Sequence, residues 1–293
     1  MRMRLPAATT SAKVPATAKE ALRRHWRLYV YEGAELAWFM VAACVATVVL
    51  FGAGSVGMRM VPSAALRRLV MGGAMGATAV MIIHSPMGRR SGAHFNPAIT
   101  LTYLRLGKIG LWDAVGYVCG QFVGAMAGVG VAALGMMALM MGRSLAQPSV
   151  DYAVTVPGIG GTAGAFGAEL LMAAVVMGVV LWMTNRRRLA GYTGYVVGVL
   201  ITGYVCFFAP VSGFSINPAR TVGSAVFAGV WTAVWIYFVA PLLGMLLAAE
   251  IYVRRFGIES VLCAKLHASP SMLCPFEGGV EEHARERRAA SSF

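Results

Sequence analysis

Charge is the first thing this 293-residue chain lacks. Only 13% of its residues are charged, where a soluble domain carries about 25%. Acidic residues are scarcer still, with 12 against 25 Lys and Arg, for a net charge of +13. The charges gather in clusters separated by long apolar runs. With 58% hydrophobic residues and a mean hydropathy of +0.68, this is a multi-pass membrane composition rather than a large soluble core. Cysteine is sparse too. Cys44, Cys119, Cys206, Cys263 and Cys274 fall singly, at no spacing that suggests a metal site or a disulfide framework, and read as small buried residues. A cleavable signal peptide is also missing, because the first apolar run follows a long basic stretch and exceeds a signal h-region. No His/Glu zinc spacing, Ser–His pair or Asp dyad stands out in the apolar runs, which argues against an enzyme, a metal or another cofactor.

What is present is six apolar segments, each near the roughly 20 residues a spanning helix needs. They run from about Gly33 to Gly54, Ala64 to Ser85, Gly110 to Met137, Ala163 to Met183, Ala190 to Ala209 and Val230 to Val253. The flanks, residues 1–30 and 256–293, read as disordered tails around a channel-like domain over 31–255. Small residues crowd the helices, as in Gly72-Gly73-Ala74-Met75-Gly76, and permit close helix approach where lipid offers no hydrophobic drive. Placing both ends in the cytoplasm puts 20 of the 25 Lys and Arg on that side. Arg59, Arg67, Arg68 and Arg143 fall on the other. This asymmetry accounts for the net charge without a nucleic-acid partner.

The two halves, about 31–140 and 160–255, echo each other. Gly33-Ala34-Glu35-Leu36 returns as Gly167-Ala168-Glu169-Leu170, and Asn96-Pro97-Ala98 returns as Asn217-Pro218-Ala219. Three spans per half is odd, so the second half is inserted upside down, the inverted 3+3 repeat of transporter-like proteins. A single Asn-Pro-Ala arises by chance in about one chain in twenty of this length. Two at matched positions are far harder to dismiss.

Asn is a good N-cap and Pro a good first helical residue. Each motif therefore predicts a short helix, about half of what would span. Two such half-helices entering from opposite faces meet N-terminus to N-terminus, with both positive dipole ends at the midplane. There each Asn amide can donate to a passing oxygen while a cation meets positive potential. Arg220, directly after the second motif, is an expensive charge at membrane depth and a functional candidate. Glu35 and Glu169 are read as acceptors for the backbone N–H groups of the adjacent re-entrant loops, with Gln121 assisting. His94 lines the vestibule or holds the loop.

At these residues the chain resembles the major intrinsic protein family, the aquaporins and glycerol channels. Ser91-Gly92-Ala93-His94-Phe95-Asn96-Pro97-Ala98-Ile99-Thr100 is similar to the family's first signature loop, and Gly213-Phe214-Ser215-Ile216-Asn217-Pro218-Ala219-Arg220 to the second. The resemblance implies an all-α membrane fold of six transmembrane helices and two re-entrant half-helices. It also implies a homotetramer in the cell membrane with one pore per subunit, passing water or small uncharged solutes and excluding ions. The family's filter, counted back from each motif without gaps, falls on Gly76, Val205, Phe214 and Arg220. Gly76 and Val205 would widen it. Phe214 is similar to the glycerol type, whereas Thr221, Ala225 and Tyr237-Phe238 are nearer the water type. The competing classes are a glycerol or neutral-solute facilitator and an ion-coupled transporter.

Overall fold

The structure, a computed structural model, describes residues 15–139 and 145–266. Arg143 and the tails over 1–14 and 267–293 lie outside the described residues. Among the described residues all regular structure is helical. Six helices are long and apolar enough to cross a membrane: α1 (Ala18–Phe51), α3 (Ala64–His84), α6 (Leu111–Leu139), α7 (Gly161–Thr184), α8 (Thr193–Ser212) and α10 (Ile236–Phe256). This is a multi-pass membrane protein. Four shorter helices complete the list: α2 (Val56–Met60), α4 (Pro86–Ser91), α5 (Pro97–Arg105) and α9 (Pro218–Ala228).

The packing repeats from half to half. The first helix of each half lies along the third, α1 on α6 and α7 on α10. The middle helices α3 and α8 pack on each other across the centre. Each half-helix docks on the other half's third helix, α9 on α6 and α5 on α10. Glycine makes the closest approaches possible. A Cβ on Gly124 of α6 would lie 2.0 Å from the Gly33 carbonyl oxygen of α1, which no side chain tolerates.

Two expectations change at the ends. Helix α1 begins at Ala18, well inside the stretch read as a tail. Thr17 caps it by accepting from the Glu20 N–H, and Glu20 pairs with Arg24 one turn on. The extension is held to α6 at Asp113, which accepts from the Tyr29 hydroxyl (2.6 Å) and meets His25 Nδ1 (2.8 Å). At the other end the chain does not leave the protein at Phe256. A short turn, Ile258–Ser260, leads to a segment in which Val261, Ala264 and Leu266 are buried. Apolar side chains in a polar stretch found a surface to cover. Cys263 is disulfide-bonded, so its reading as a single buried cysteine fails. Cys44, Cys119 and Cys206 are free.

Candidate functional site

The two Asn-Pro-Ala motifs meet inside the bundle. Asn96 caps α5, its Oδ1 accepting from the Ala98 N–H at 2.9 Å. Asn217 caps α9, its Oδ1 accepting from the N–H groups of Ala219 (3.1 Å) and Arg220 (3.2 Å). Pro97 and Pro218 open the helices, where a missing N–H costs nothing. The helices have 9 and 11 residues, roughly 14 and 17 Å at 1.5 Å per residue, about half of a 30 Å hydrocarbon core.

Capping fixes which way each amide points. With the oxygen turned to its own helix, the Nδ2 group faces the other half. Asn96 Nδ2 donates to the Ile216 carbonyl and Asn217 Nδ2 to the Phe95 carbonyl, each at 2.7 Å. An amide nitrogen has two hydrogens, so each Asn keeps one N–H beyond the crossed pair. The crossed pair ties the two loops together and holds both donors at one level.

The loops leading to the motifs are strained in the same way. Positive φ occurs at Gly92, Ala93 and Phe95 in the first and at Gly213, Phe214 and Ile216 in the second. These are the same offsets from Asn96 and Asn217. An aromatic or β-branched residue at positive φ is a true outlier, costing on the order of 1–3 kcal/mol, and such strain concentrates at functional sites.

Buried carboxylates hold the strained loops. Glu169 accepts from the Ser212 hydroxyl (2.6 Å) and from the N–H groups of Ser215 (2.9 Å) and Ile216 (2.5 Å). In the first half the task is divided. Glu35 accepts only from the Ser91 hydroxyl (2.8 Å). The backbone N–H groups of His94 (2.9 Å) and Phe95 (2.7 Å) go to Glu32, which also accepts from Gln121 Nε2 (2.7 Å). Reading Glu35 as the acceptor for this loop's N–H groups is therefore corrected to Glu32, one turn earlier on the same face of α1. His94 is fully buried and holds the loop rather than lining a vestibule. Its Nε2 donates to the Ala264 carbonyl (3.0 Å), which leaves Nδ1 to accept from Thr100 Oγ1 (3.1 Å). The ring stacks on Tyr103.

Sequence reasoning missed two matched pairs. The Tyr117 hydroxyl donates to the Ser91 carbonyl and the Tyr237 hydroxyl to the Ser212 carbonyl, both at 2.7 Å. The signal was present: Ser91 and Ser212 stand at equal distance before the two Asn residues.

A family model described as "Major intrinsic protein" matches residues 33–252. The chain belongs to the major intrinsic protein family. It is 31% identical over 189 residues to "Aquaporin A" of Dictyostelium discoideum, a match covering 63% of this chain and 65% of that protein. The chain thus spans just under two thirds of that relative's length. It is 34% identical over 179 residues to "Glycerol uptake facilitator protein-like 6" of Lactiplantibacillus plantarum, covering 58% of this chain and 78% of that protein. The solved aquaglyceroporin from Plasmodium falciparum shares the fold, with a TM-score of 0.63 at 21% identity over 77% of this chain and 94% of that one.

Beyond the Asn pair, on the face opposite the start of α1 and the end of α10, this member of the major intrinsic protein family has a cavity of about 180 Å³. Arg220, Phe214 and Val205 line it, with Arg68, Met71 and Met75 from α3. Arg220 is 8% exposed and donates from Nη1 to the Ala153 carbonyl at 2.7 Å, which pins the guanidinium beside the cavity. Gly76 is not on this wall. A Cβ there would lie 2.3 Å from the Gly198 carbonyl oxygen and 2.5 Å from Thr202 Oγ1, so Gly76 is a contact between α3 and α8. The α3 side chains on the cavity are those of Arg68, Met71 and Met75.

Proposed function

We propose that this chain is a passive channel for water and small uncharged solutes in the cell membrane. The observation that carries the reading is the crossed Asn pair. Two half-helix N-termini point at one level, and each capping amide keeps one N–H. A solute oxygen accepts there in place of bulk water. A proton or metal cation meets two positive dipole ends and, farther out, the Arg220 guanidinium. Both termini face the cytoplasm, as the distribution of Lys and Arg favours, so the Arg220 cavity opens outward. The functional form is a homotetramer with a pore in each subunit.

Glycerol is a second solute that the cavity favours. Met75, Val205 and Phe214 give apolar walls opposite the Arg220 donors, which suits a molecule with a carbon edge and a hydroxyl edge. An ion-coupled transporter is disfavoured because Glu32, Glu35 and Glu169 are engaged with loop atoms of the fold. Stopped-flow light scattering of proteoliposomes tests the proposal. A sucrose gradient should cause shrinkage faster than in empty vesicles, and a glycerol gradient should be followed by re-swelling. Flux that depends on membrane potential or a pH gradient would overturn it in favour of a coupled transporter.

A further inference from the structure

The segment after α10 does not hang free. It crosses the face that holds the start of α1 and the end of α10, from the end of α7 to the start of the first re-entrant loop. The Leu262 N–H donates to Asn185 Oδ1 at 2.8 Å, beyond the last residue of α7. Lys265 Nζ reaches the Arg89 carbonyl of α4 at 3.2 Å. The Leu266 N–H donates to the Gly92 carbonyl at 2.9 Å, and the Ala264 carbonyl accepts from His94 Nε2 at 3.0 Å. Val261, Ala264 and Leu266 are each at most 1% exposed, and Lys265 is 4% exposed.

Gly92 is where this matters. On the channel reading, the unravelled backbone from Gly92 to Asn96, buried throughout, is the inner approach to the Asn pair. Its first carbonyl is taken by Leu266. Gly92 itself is so closely covered that a Cβ would lie 2.5 Å from the Ala264 carbonyl oxygen. We propose that Ile258–Leu266 is an inhibitory strap that closes the inner mouth of the channel and must be released for solute to pass. This rests on the channel reading above.

The docked strap is built to be reversible. Its contacts with the bundle include four hydrogen bonds and three small or medium apolar side chains. Against them stands the burial of Lys265, whose Nζ donates to the Arg89 carbonyl at 3.2 Å; burial pulls the Lys265 pKa from 10.5 down to about 8.

The test uses the full chain in proteoliposomes and two variants. Leu266→Pro removes the N–H that meets Gly92. Ala264→Arg places a long side chain where none fits. An amine-reactive reagent reports release directly, because Lys265 is labelled only when it leaves its buried site, and mass spectrometry identifies the labelled residue. The strap predicts faster labelling of Lys265 in both variants and water permeability at least threefold above wild type. Unchanged permeability in both variants overturns it, as does a wild-type chain already labelled at Lys265 as fast as they are. If wild type and both variants pass no more water than empty vesicles, the channel reading itself fails. Conduction equal in all three overturns only the strap.

Discussion

Exchanging Glu32 for Gln and, separately, Glu35 for Gln separates the two carboxylates of α1. Glu32 accepts three hydrogen bonds, two of them from backbone N–H groups of a loop strained at Ala93 and Phe95. In Glu32→Gln an NH2 group must face at least one of those donors. Leaving a buried donor unpaired costs about 1–3 kcal/mol, and losing the charge weakens the remaining bonds by about 1 kcal/mol. The sum is about 3 kcal/mol, or roughly 6–12 °C of melting temperature for a domain of this size. Glu35 meets only the Ser91 hydroxyl. Glu35→Gln keeps an oxygen for that bond and removes a buried charge, so it should shift melting by less than about 3 °C. Intrinsic-fluorescence melting in detergent reads both. A Glu35→Gln loss equal to or larger than that of Glu32→Gln would refute the assignment of the loop to Glu32.

Further outcomes follow from the same contacts. Gly76→Phe should abolish the folded protein in detergent rather than narrow the filter, because its side chain would enter the α3–α8 contact; a stable variant with reduced glycerol flux would restore Gly76 to the pore wall. Met75→Trp should lower glycerol re-swelling several-fold more than water shrinkage, since Met75 lines the outer cavity; equal loss of both would count against that placement. Arg220→Val should raise proton leak, read with an internal pH dye, while water still flows; an unchanged leak in a folded variant would remove Arg220 from ion exclusion. Lys265 binds its proton less tightly docked, at about 8, than free, at 10.5. Docking therefore strengthens as pH rises through that window, and water flux should fall between pH 7.5 and 9.5 in wild type but not in Lys265→Met. A flat wild-type profile would contradict this.

Much of the architecture was legible because membrane physics leaves few options. Six apolar runs gave six long helices, and two Asn-Pro pairs gave two capped half-helices, since capping chemistry is local. The extension of α1 was missed because its anchors, Asp113 with His25 and Tyr29, lie far apart in sequence. The repeat pointed to Glu35 because Gly-Ala-Glu-Leu is the better sequence match, yet helix rotation brings Glu32 to the loop. Gly76 is placed by counting back from Asn96, and a count carries no information on helix rotation, which turns Gly76 toward α8. The covered mouth was invisible, because burial of Val261, Ala264 and Leu266 depends on a surface that only the folded bundle provides.

The central claim is a water path through the Asn pair, and its most direct test is the temperature dependence of osmotic shrinkage. Proteoliposomes carrying wild type and Leu266→Pro are compared with empty vesicles under a sucrose gradient. The account predicts faster shrinkage with a weaker temperature dependence than lipid alone, most clearly in Leu266→Pro. Shrinkage that matches empty vesicles in rate and temperature dependence for both chains would contradict it.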